Sequence, residues 1–233
     1  MKKWKPSLQG EVRVRPGRKT FWLARPSSLS VGLSVLAVLL ILLGLIAAGV
    51  PIVPMVWYSV KPSVTSNLAR ILNKPVAEQA QAVVREVDTW QPVKDDTLPE
   101  GGWVAIPSIG VKTAIVEQPS DKYEEALKQG VWRVPEFGTP LKRELPTILV
   151  AHRFGYLKWS NQYRREHSFF NLPKLKVGEK VYISWGQRQY IYELYSADEG
   201  TKISDYSADL ILYTCQYLES DQRIFRYGRL VKN

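Results

Sequence analysis

The longest apolar segment of the chain lies close to its N-terminus. No charged residue occurs between Arg25 and Lys61, and the centre of this segment is a run of about 20 apolar residues. A run of that length matches the hydrocarbon core of a bilayer, where a single segment satisfies its backbone groups only as a helix. Trp57 and Tyr58 follow where an interfacial aromatic belt is expected. The pattern predicts one transmembrane helix within residues 29–60.

From Trp103 onward the chain changes to short apolar runs separated by turns and loops. Runs rich in Val, Ile, Tyr and Phe are typical of strands. One short helix is predicted over residues 123–129, ended by Gly130, and residues 154–172 are predicted to be a long loop with one helical turn. Many strands with few helices indicate a closed barrel or a sandwich. The predicted strands cover residues 103–107, 112–117, 147–151, 180–184, 189–195, 210–215 and 222–231.

A stem connects the apolar segment to the predicted strands. Residues 66–90 have helical composition interrupted by Pro75, so the stem is predicted to be partly helical. Residues 91–102 are polar and rich in Pro and Gly, which predicts a linker. A fragment beginning near Lys94 is therefore expected to fold by itself. Four parts are predicted: a basic tail (1–28), a membrane anchor (29–60), a stem and linker (61–102) and a β domain (103–233).

The net charge of +10 arises mainly at one end of the chain. Residues 1–28 hold eight Lys or Arg and one Glu, so they carry +7 and the remaining residues carry only +3. A basic tail before an apolar segment predicts a cytoplasmic N-terminus and an extracellular domain after Lys61. Nucleic-acid binding is not expected, because no basic patch is interleaved with aromatic residues in a recognisable motif. A cleaved signal peptide is the alternative, although its apolar region normally spans about 7–15 residues.

Cys215 is the only cysteine, and it ends the apolar run that begins at Leu210. A lone cysteine is often a small buried apolar residue, but an unpaired thiol is unusual in a chain that faces the outside of a cell. A thiolate is a nucleophile, and a neighbouring histidine can stabilise it and later protonate a leaving amine. His152 ends an apolar strand as Cys215 does, whereas His167 lies in a hydrophilic stretch. His152 is therefore the predicted partner of Cys215.

Three motifs in a fixed order resemble the sortase family of membrane-anchored cysteine transpeptidases. They are Ala151-His152-Arg153 after one strand, Tyr213-Thr214-Cys215 at the end of a later strand, and Arg223 at the beginning of the next. The resemblance extends from Trp103 to Val231. Other similar pieces in the same order include Ile106-Pro107-Ser108-Ile109-Gly110-Val111 and Phe169-Phe170-Asn171-Leu172. The chain departs from the family at Ala151, where glycine is usual.

The resemblance implies a mainly β fold, an eight-stranded barrel with one or two short helices. It implies catalytic roles for His152, Cys215 and Arg223, with Arg223 at the oxyanion and Thr214 supporting that site. Its substrates are surface proteins that carry a Leu-Pro-x-Thr-Gly-like sorting signal, cleaved through a Cys215 thioester. The acyl group passes to an amine acceptor such as a cell-wall precursor. No cofactor is implied, and two histidines and one cysteine without ligand spacing predict no metal site.

The last predicted strand carries three arginines. Side chains alternate along a strand, so Arg226 lies on the face opposite Arg223 and Arg229. Arg229 is six residues from Arg223, about 20 Å at roughly 3.3 Å per residue. A strand that returns beside the cysteine strand begins near its end, so Arg223 is expected to lie closest to the thiol.

Two other classes of function stay open. One is a different membrane-anchored cysteine peptidase, although L,D-transpeptidases have a Ser/Thr-His-Gly-Cys motif that is absent here and NlpC-type peptidases place the cysteine before the histidine. The other is a non-catalytic anchored β-barrel, a pseudo-sortase. Within the sortase family, the absence of a second apolar span after Val231 argues against the pilin-polymerising type.

Overall fold

The computed structural model describes residues 28–60, 89–218 and 220–232. Its first element is the helix α1 (Ser28–Val60), which contains no charged residue. Within α1, the segment Gly32–Gly49 is long and apolar enough to cross a membrane, because 18 residues of helix extend about 27 Å. Residues 1–27 of the predicted basic tail and residues 61–88 of the predicted stem lie outside the described residues.

Eight strands close into a barrel, which confirms the predicted fold class. The order around the barrel is β1-β2-β3-β4-β7-β8-β6-β5, and β5 closes it by pairing with β1. Only two of the pairs, β2 with β3 and β4 with β7, are parallel. The strands are β1 (Trp103–Ile106), β2 (Val111–Glu117), β3 (Val131–Arg133), β4 (Thr147–Val150), β5 (Lys180–Trp185), β6 (Arg188–Gly200), β7 (Leu210–Cys215) and β8 (Arg223–Val231).

Two strands differ from the sequence prediction. β3 is only three residues long, and its apolar run was too short to identify as a strand. β6 extends through Gly200, five residues beyond its predicted end, because it pairs with β8 along its whole second half. The pairing shifts register between Leu194 and Ser196, so the long strand bends there.

Apolar side chains pack on both faces of the sheet. Inside the barrel they form a core, here called the barrel core, that includes Val104, Ile106, Leu149, Leu210, Leu212 and Ile224. On the outer face of β3, β4, β7 and β8 they form a second cluster, here called the outer cluster, that includes Ile148, Val150, Ile211, Tyr213, Cys215, Phe225 and Tyr227. Burial on both faces explains why β4 and β7 are continuous apolar runs rather than alternating ones.

Two short helices accompany the barrel. The helix α2 (Tyr123–Gln129) has the predicted bounds, and it contributes Ala126 and Leu127 to the outer cluster. The helix α3 (Asn161–His167) lies within the predicted long loop and makes two turns rather than one. Its N-terminus is capped by Ser160, whose hydroxyl oxygen accepts from Tyr163 N at 3.0 Å.

Residues 89–102, most of which were predicted to be a linker, are bound to the barrel. Arg143 donates to Trp90 O, and the Tyr190 hydroxyl donates to Gln91 Oε1 at 2.6 Å. Lys94 forms an antiparallel bridge with Arg188 at the turn between β5 and β6. Composition indicated a linker because these residues lack an apolar pattern, but their backbone and amide groups have partners on the barrel.

Candidate active site

The pairing of β4 with β7 brings His152 and Cys215 to the same edge of the barrel. The two strands are parallel, and Val150 lies opposite Tyr213. His152 follows Val150 by two residues and Cys215 follows Tyr213 by two residues, so they extend level with each other. Residues two apart in a strand share a face, so Cys215 lies with Tyr213 in the outer cluster. The same spacing from Val150 directs His152 to that face if the alternation continues past the end of β4.

Arg223 enters the same site from β8. β8 runs antiparallel to β7, and the first residue of β8, Arg223, lies directly opposite the last residue of β7, Cys215. Arg223 shares its face with Phe225 and Tyr227, which belong to the outer cluster. The three predicted catalytic residues therefore lie at one edge of the barrel, and Cys215 and Arg223 share one face of the sheet.

The guanidinium of Arg223 is buried, and its side chain is only 1% exposed. Its Nη1 donates to Ser220 O at 2.5 Å and to Gln222 O at 3.0 Å, both in the loop between β7 and β8. Its Nε is buried without a hydrogen-bond partner among residues 28–60, 89–218 and 220–232. A buried donor without an acceptor is costly, so this N–H group is suited to receive a developing oxyanion.

Thr214 lies on the opposite face from Cys215. Its hydroxyl donates to Ala151 O at 2.7 Å, and the side chain is fully buried. This bond joins the residue before Cys215 to the residue before His152. The hydroxyl thus fixes the relative position of the two strand ends. Because the Thr214 side chain lies on the other face, only its backbone can contribute on the face of Cys215.

His152 is completely buried among aromatic side chains. Its ring makes an edge contact with Tyr156, with centroids 5.3 Å apart, and a tilted contact with Trp159 at 6.3 Å. Burial and, to a smaller extent, the nearby charge of Lys128 lower the pKa of His152 to about 3. The imidazole is therefore neutral at pH 7 in this structure, and an imidazolium at this position needs a compensating group.

A short segment of chain, residues 153–160, covers His152 and is here called the cover loop. Gly155 adopts φ +73°, and a Cβ there would lie 2.1 Å from the ring of Trp159, so glycine is required. The buried Arg164 of α3 donates to the carbonyls of Phe154 at 2.7 Å, Trp159 at 3.3 Å and Tyr156 at 3.4 Å. These bonds hold the cover loop in place.

Cys215 is only 2% exposed. Leu218, from the loop after β7, packs against Tyr156 and Trp159 of the cover loop. At the 2% exposure of Cys215, a large molecule can reach the thiol only after residues around it have moved.

The other residues considered from the sequence are occupied elsewhere. His167 Nδ1 lies 2.7 Å from Thr113 Oγ1 in β2, and its ring stacks on Tyr163. Arg226 lies on the opposite face from Arg223, as the alternation predicted, and donates to Leu175 O at 2.7 Å, Phe225 O at 2.8 Å and Pro173 O at 3.0 Å. Arg229 donates to Ser207 and lies over the ring of Tyr195.

Sequence reasoning missed Tyr156, which contacts His152, and two residues that bind Tyr156 in turn. Tyr156 and Arg164 belong to the segment predicted as a loop, and Glu124 belongs to α2. The aromatic and basic composition of residues 154–172 was the only signal available, and it does not say which side chain reaches the histidine. In the part of the chain that the structure describes, no group of three or more His, Cys, Asp or Glu side chains could hold a metal ion.

Comparison with known proteins extends these observations. Similar solved structures include Group B Streptococcus Pilus Island 1 sortase C2, which is 21% identical with a TM-score of 0.46 over 72% of this chain and 99% of the other. Sortase C1 from Streptococcus suis is 22% identical, with a TM-score of 0.45 over 57% of this chain and 73% of the other. No curated protein matches the chain. The family model described as Sortase domain matches residues 104–231, more than half of the chain and nearly the whole barrel. The chain therefore belongs to the sortase family.

Proposed function

We propose that this sortase is an active cysteine transpeptidase that cleaves a Leu-Pro-x-Thr-Gly-like sorting signal and transfers the new carboxyl end to an amine. The observation that carries the proposal is the in-register placement of His152, Cys215 and Arg223 at one barrel edge. Substrate class and acceptor follow from the family to which the chain belongs. Surface proteins are the proposed substrates, and a cell-wall precursor is the proposed acceptor.

A neutral imidazole has a free lone pair on one nitrogen, so we assign His152 the role of general base at the beginning of the reaction. The Cys215 thiol gives its proton to His152 as sulfur attacks the carbonyl carbon of the signal's threonine. The oxyanion that forms lies near the guanidinium of Arg223, which stays protonated and offers N–H donors. His152 then gives the proton to the departing glycine amine, which leaves a thioester on Cys215.

The second half of the reaction reverses these steps with a different amine. The acceptor amine attacks the thioester carbonyl and loses a proton to His152, and the proton returns to the Cys215 sulfur as it departs. Water in place of the amine gives hydrolysis. The apolar helix α1 supports a membrane location, and the basic residues before it support a cytoplasmic N-terminus with an extracellular barrel.

Trapping the thioester tests this proposal directly. The full-length chain in detergent micelles is incubated with a panel of sorting-signal peptides, and the adduct mass on Cys215 is read by mass spectrometry. We expect an adduct equal to the peptide up to its threonine, and an exchanged product when oligoglycine is added. Cys215→Ala should form neither.

The histidine assignment has its own matched pair of variants. His152→Ala should abolish the exchange, whereas His167→Ala should retain most of it because its contacts are with Thr113 and Tyr163. Loss of activity in His167→Ala with an active His152→Ala would refute the assignment. If no peptide is cleaved and a thiol-reactive probe does not label Cys215, the non-catalytic alternative is favoured.

A further inference from the structure

A chain of three polar groups ends on the ring of His152. The Tyr156 hydroxyl donates to Glu124 Oε1 at 2.8 Å, and the same hydroxyl oxygen lies 3.2 Å from His152 Nε2. The three residues come from separate elements: Glu124 from α2, Tyr156 from the cover loop and His152 from the end of β4. Nothing in the mechanism above uses Glu124 or Tyr156.

The direction of these hydrogen bonds selects one form of the imidazole. A phenol has a single proton, and Tyr156 donates it in a hydrogen bond to the Glu124 carboxylate, so the phenol oxygen accepts a hydrogen bond from the Nε2–H group of His152. Burial, the bond to Glu124 and its charge all raise the pKa of Tyr156, so it remains a protonated donor. A neutral imidazole with its proton on Nε2 carries its lone pair on Nδ1. Nδ1 is then the nitrogen that exchanges a proton with Cys215.

The same chain brings a negative charge close to a histidine that must become positive during catalysis. His152 is fully buried, so an imidazolium there needs a compensating group. Glu124 Oε2 is buried and, among the residues described, has no hydrogen-bond partner, so Tyr156 is the described side chain that donates to this carboxylate.

Other titratable groups lie on the neighbouring elements. Tyr123 of α2 acts electrostatically on Tyr156, Arg153 adjoins His152 in the sequence, and Cys215 lies opposite Arg223 in the pairing of β7 with β8. Lys128 opposes the imidazolium, and Glu124 is the acidic residue joined to the ring through a hydrogen-bonded phenol.

We propose that Tyr156 and Glu124 are positioning residues that hold His152 in the Nε2-protonated form and stabilise its imidazolium while the thioester forms and breaks. The proposal rests on the proposed function, because it assigns roles within that reaction. A simpler interpretation uses the same bonds only to hold the cover loop closed over the site. The two interpretations predict opposite changes in rate when the bonds are removed.

Substitutions that remove one group at a time separate these interpretations. Tyr156→Phe keeps the ring that packs on Trp159 at 5.3 Å and removes only the hydroxyl. Glu124→Gln keeps an oxygen that accepts from Tyr156 and removes the charge. Tyr163→Phe is the matched control, since the Tyr163 hydroxyl donates to Gln129 O at 2.7 Å and is not part of the hydrogen-bonded series Glu124–Tyr156–His152. Glu125→Gln is the control for charge on α2, because Glu125 is exposed.

The first measurement is steady-state cleavage by the full-length chain in micelles, with folding of each variant checked by circular dichroism. We expect Tyr156→Phe to lower kcat by about 10- to 100-fold with KM within about threefold, part of the roughly 10²–10⁴-fold that general acid–base catalysis supplies. Glu124→Gln should lower kcat by about tenfold, and both controls should stay within about twofold. An unchanged or higher kcat in both Tyr156→Phe and Glu124→Gln would overturn the proposal. A higher kcat would favour the simpler interpretation, in which the bonds only hold the cover loop closed over the site.

The second measurement does not depend on any substrate. The chain has only two histidines, so selective ¹⁵N labelling with His152→Gln as the assignment control reads the tautomer of His152 by NMR. We expect Nε2 protonated in wild type and a mixed tautomer in Tyr156→Phe. The same tautomer in both proteins would refute the positioning role of Tyr156. If wild type cleaves no peptide, the proposed function fails, while this spectrum still decides whether Tyr156 sets the tautomer of His152.

Discussion

The buried, neutral state of His152 makes the barrel sensitive to acid. In the unfolded chain this histidine takes up a proton near pH 6.5, whereas burial in the folded chain lowers its pKa to about 3. Between these two values the unfolded state binds more protons than the folded state. The free energy of unfolding must therefore fall as the pH falls through this window, and the contribution is fully present above pH 6.5.

The size of the effect follows from the difference in pKa. At about 1.36 kcal/mol per unit, the full loss is about 5 kcal/mol once the pH is below 3. The partial loss is about 2 kcal/mol at pH 5 and about 3 kcal/mol at pH 4. A domain with a typical stability of about 5–15 kcal/mol would be measurably weakened by that amount.

Urea unfolding at pH 7.5, 5 and 4, followed by tryptophan fluorescence, measures this loss. His152→Gln is the informative variant, since glutamine is polar but does not titrate. Carboxylates titrate in both proteins and cancel in the difference, so wild type should lose about 3 kcal/mol more than His152→Gln between pH 7.5 and 4. His167→Gln keeps His152 and should keep its full contribution. Equal losses in wild type and His152→Gln would refute a buried neutral histidine.

Four further results are expected. Thr214→Val should lower the free energy of unfolding by about 1–2 kcal/mol in urea titrations, because it removes the hydroxyl bond between the strand ends; recovery by Thr214→Ser would confirm the cause, and an unchanged stability would contradict it. Arg226→Met should cost at least about 2 kcal/mol of stability by leaving buried carbonyls unpaired. Arg223→Lys should instead lower kcat/KM by about 10²-fold, since it loses the planar fork of guanidinium donors. A loss of stability in Arg223→Lys with a loss of activity in Arg226→Met would show that Arg226 is the catalytic arginine and Arg223 the structural one. A fragment beginning at Thr89 should melt at a higher temperature than one beginning at Lys94, which lacks the contacts of residues 90–92; equal melting temperatures would show that these contacts are unimportant.

Much of the architecture could be predicted from local sequence. The length and composition of the uncharged run that forms α1 predicted a membrane-spanning helix. The run Leu210–Cys215 predicted a buried strand because each of its side chains is apolar or small. The position of the predicted catalytic residues at strand ends also followed from local pattern. Arg226 was separated from Arg223 by the alternation of strand side chains alone, and the structure places them on opposite faces.

The sequence could not show which strand ends meet. β4 and β7 are separated by some sixty residues, and their parallel pairing, which sets His152 level with Cys215, is a property of the closed barrel. The same holds for Glu124 and Tyr156, which lie 32 residues apart in sequence and share a hydrogen bond at 2.8 Å. The residues before Trp103 were predicted to be a linker because their composition lacks an apolar pattern, yet they bind the β5–β6 turn through backbone groups. Local composition records how each segment behaves alone. Hydrogen bonds and burial between distant segments depend on barrel closure, and they decided the surroundings of His152.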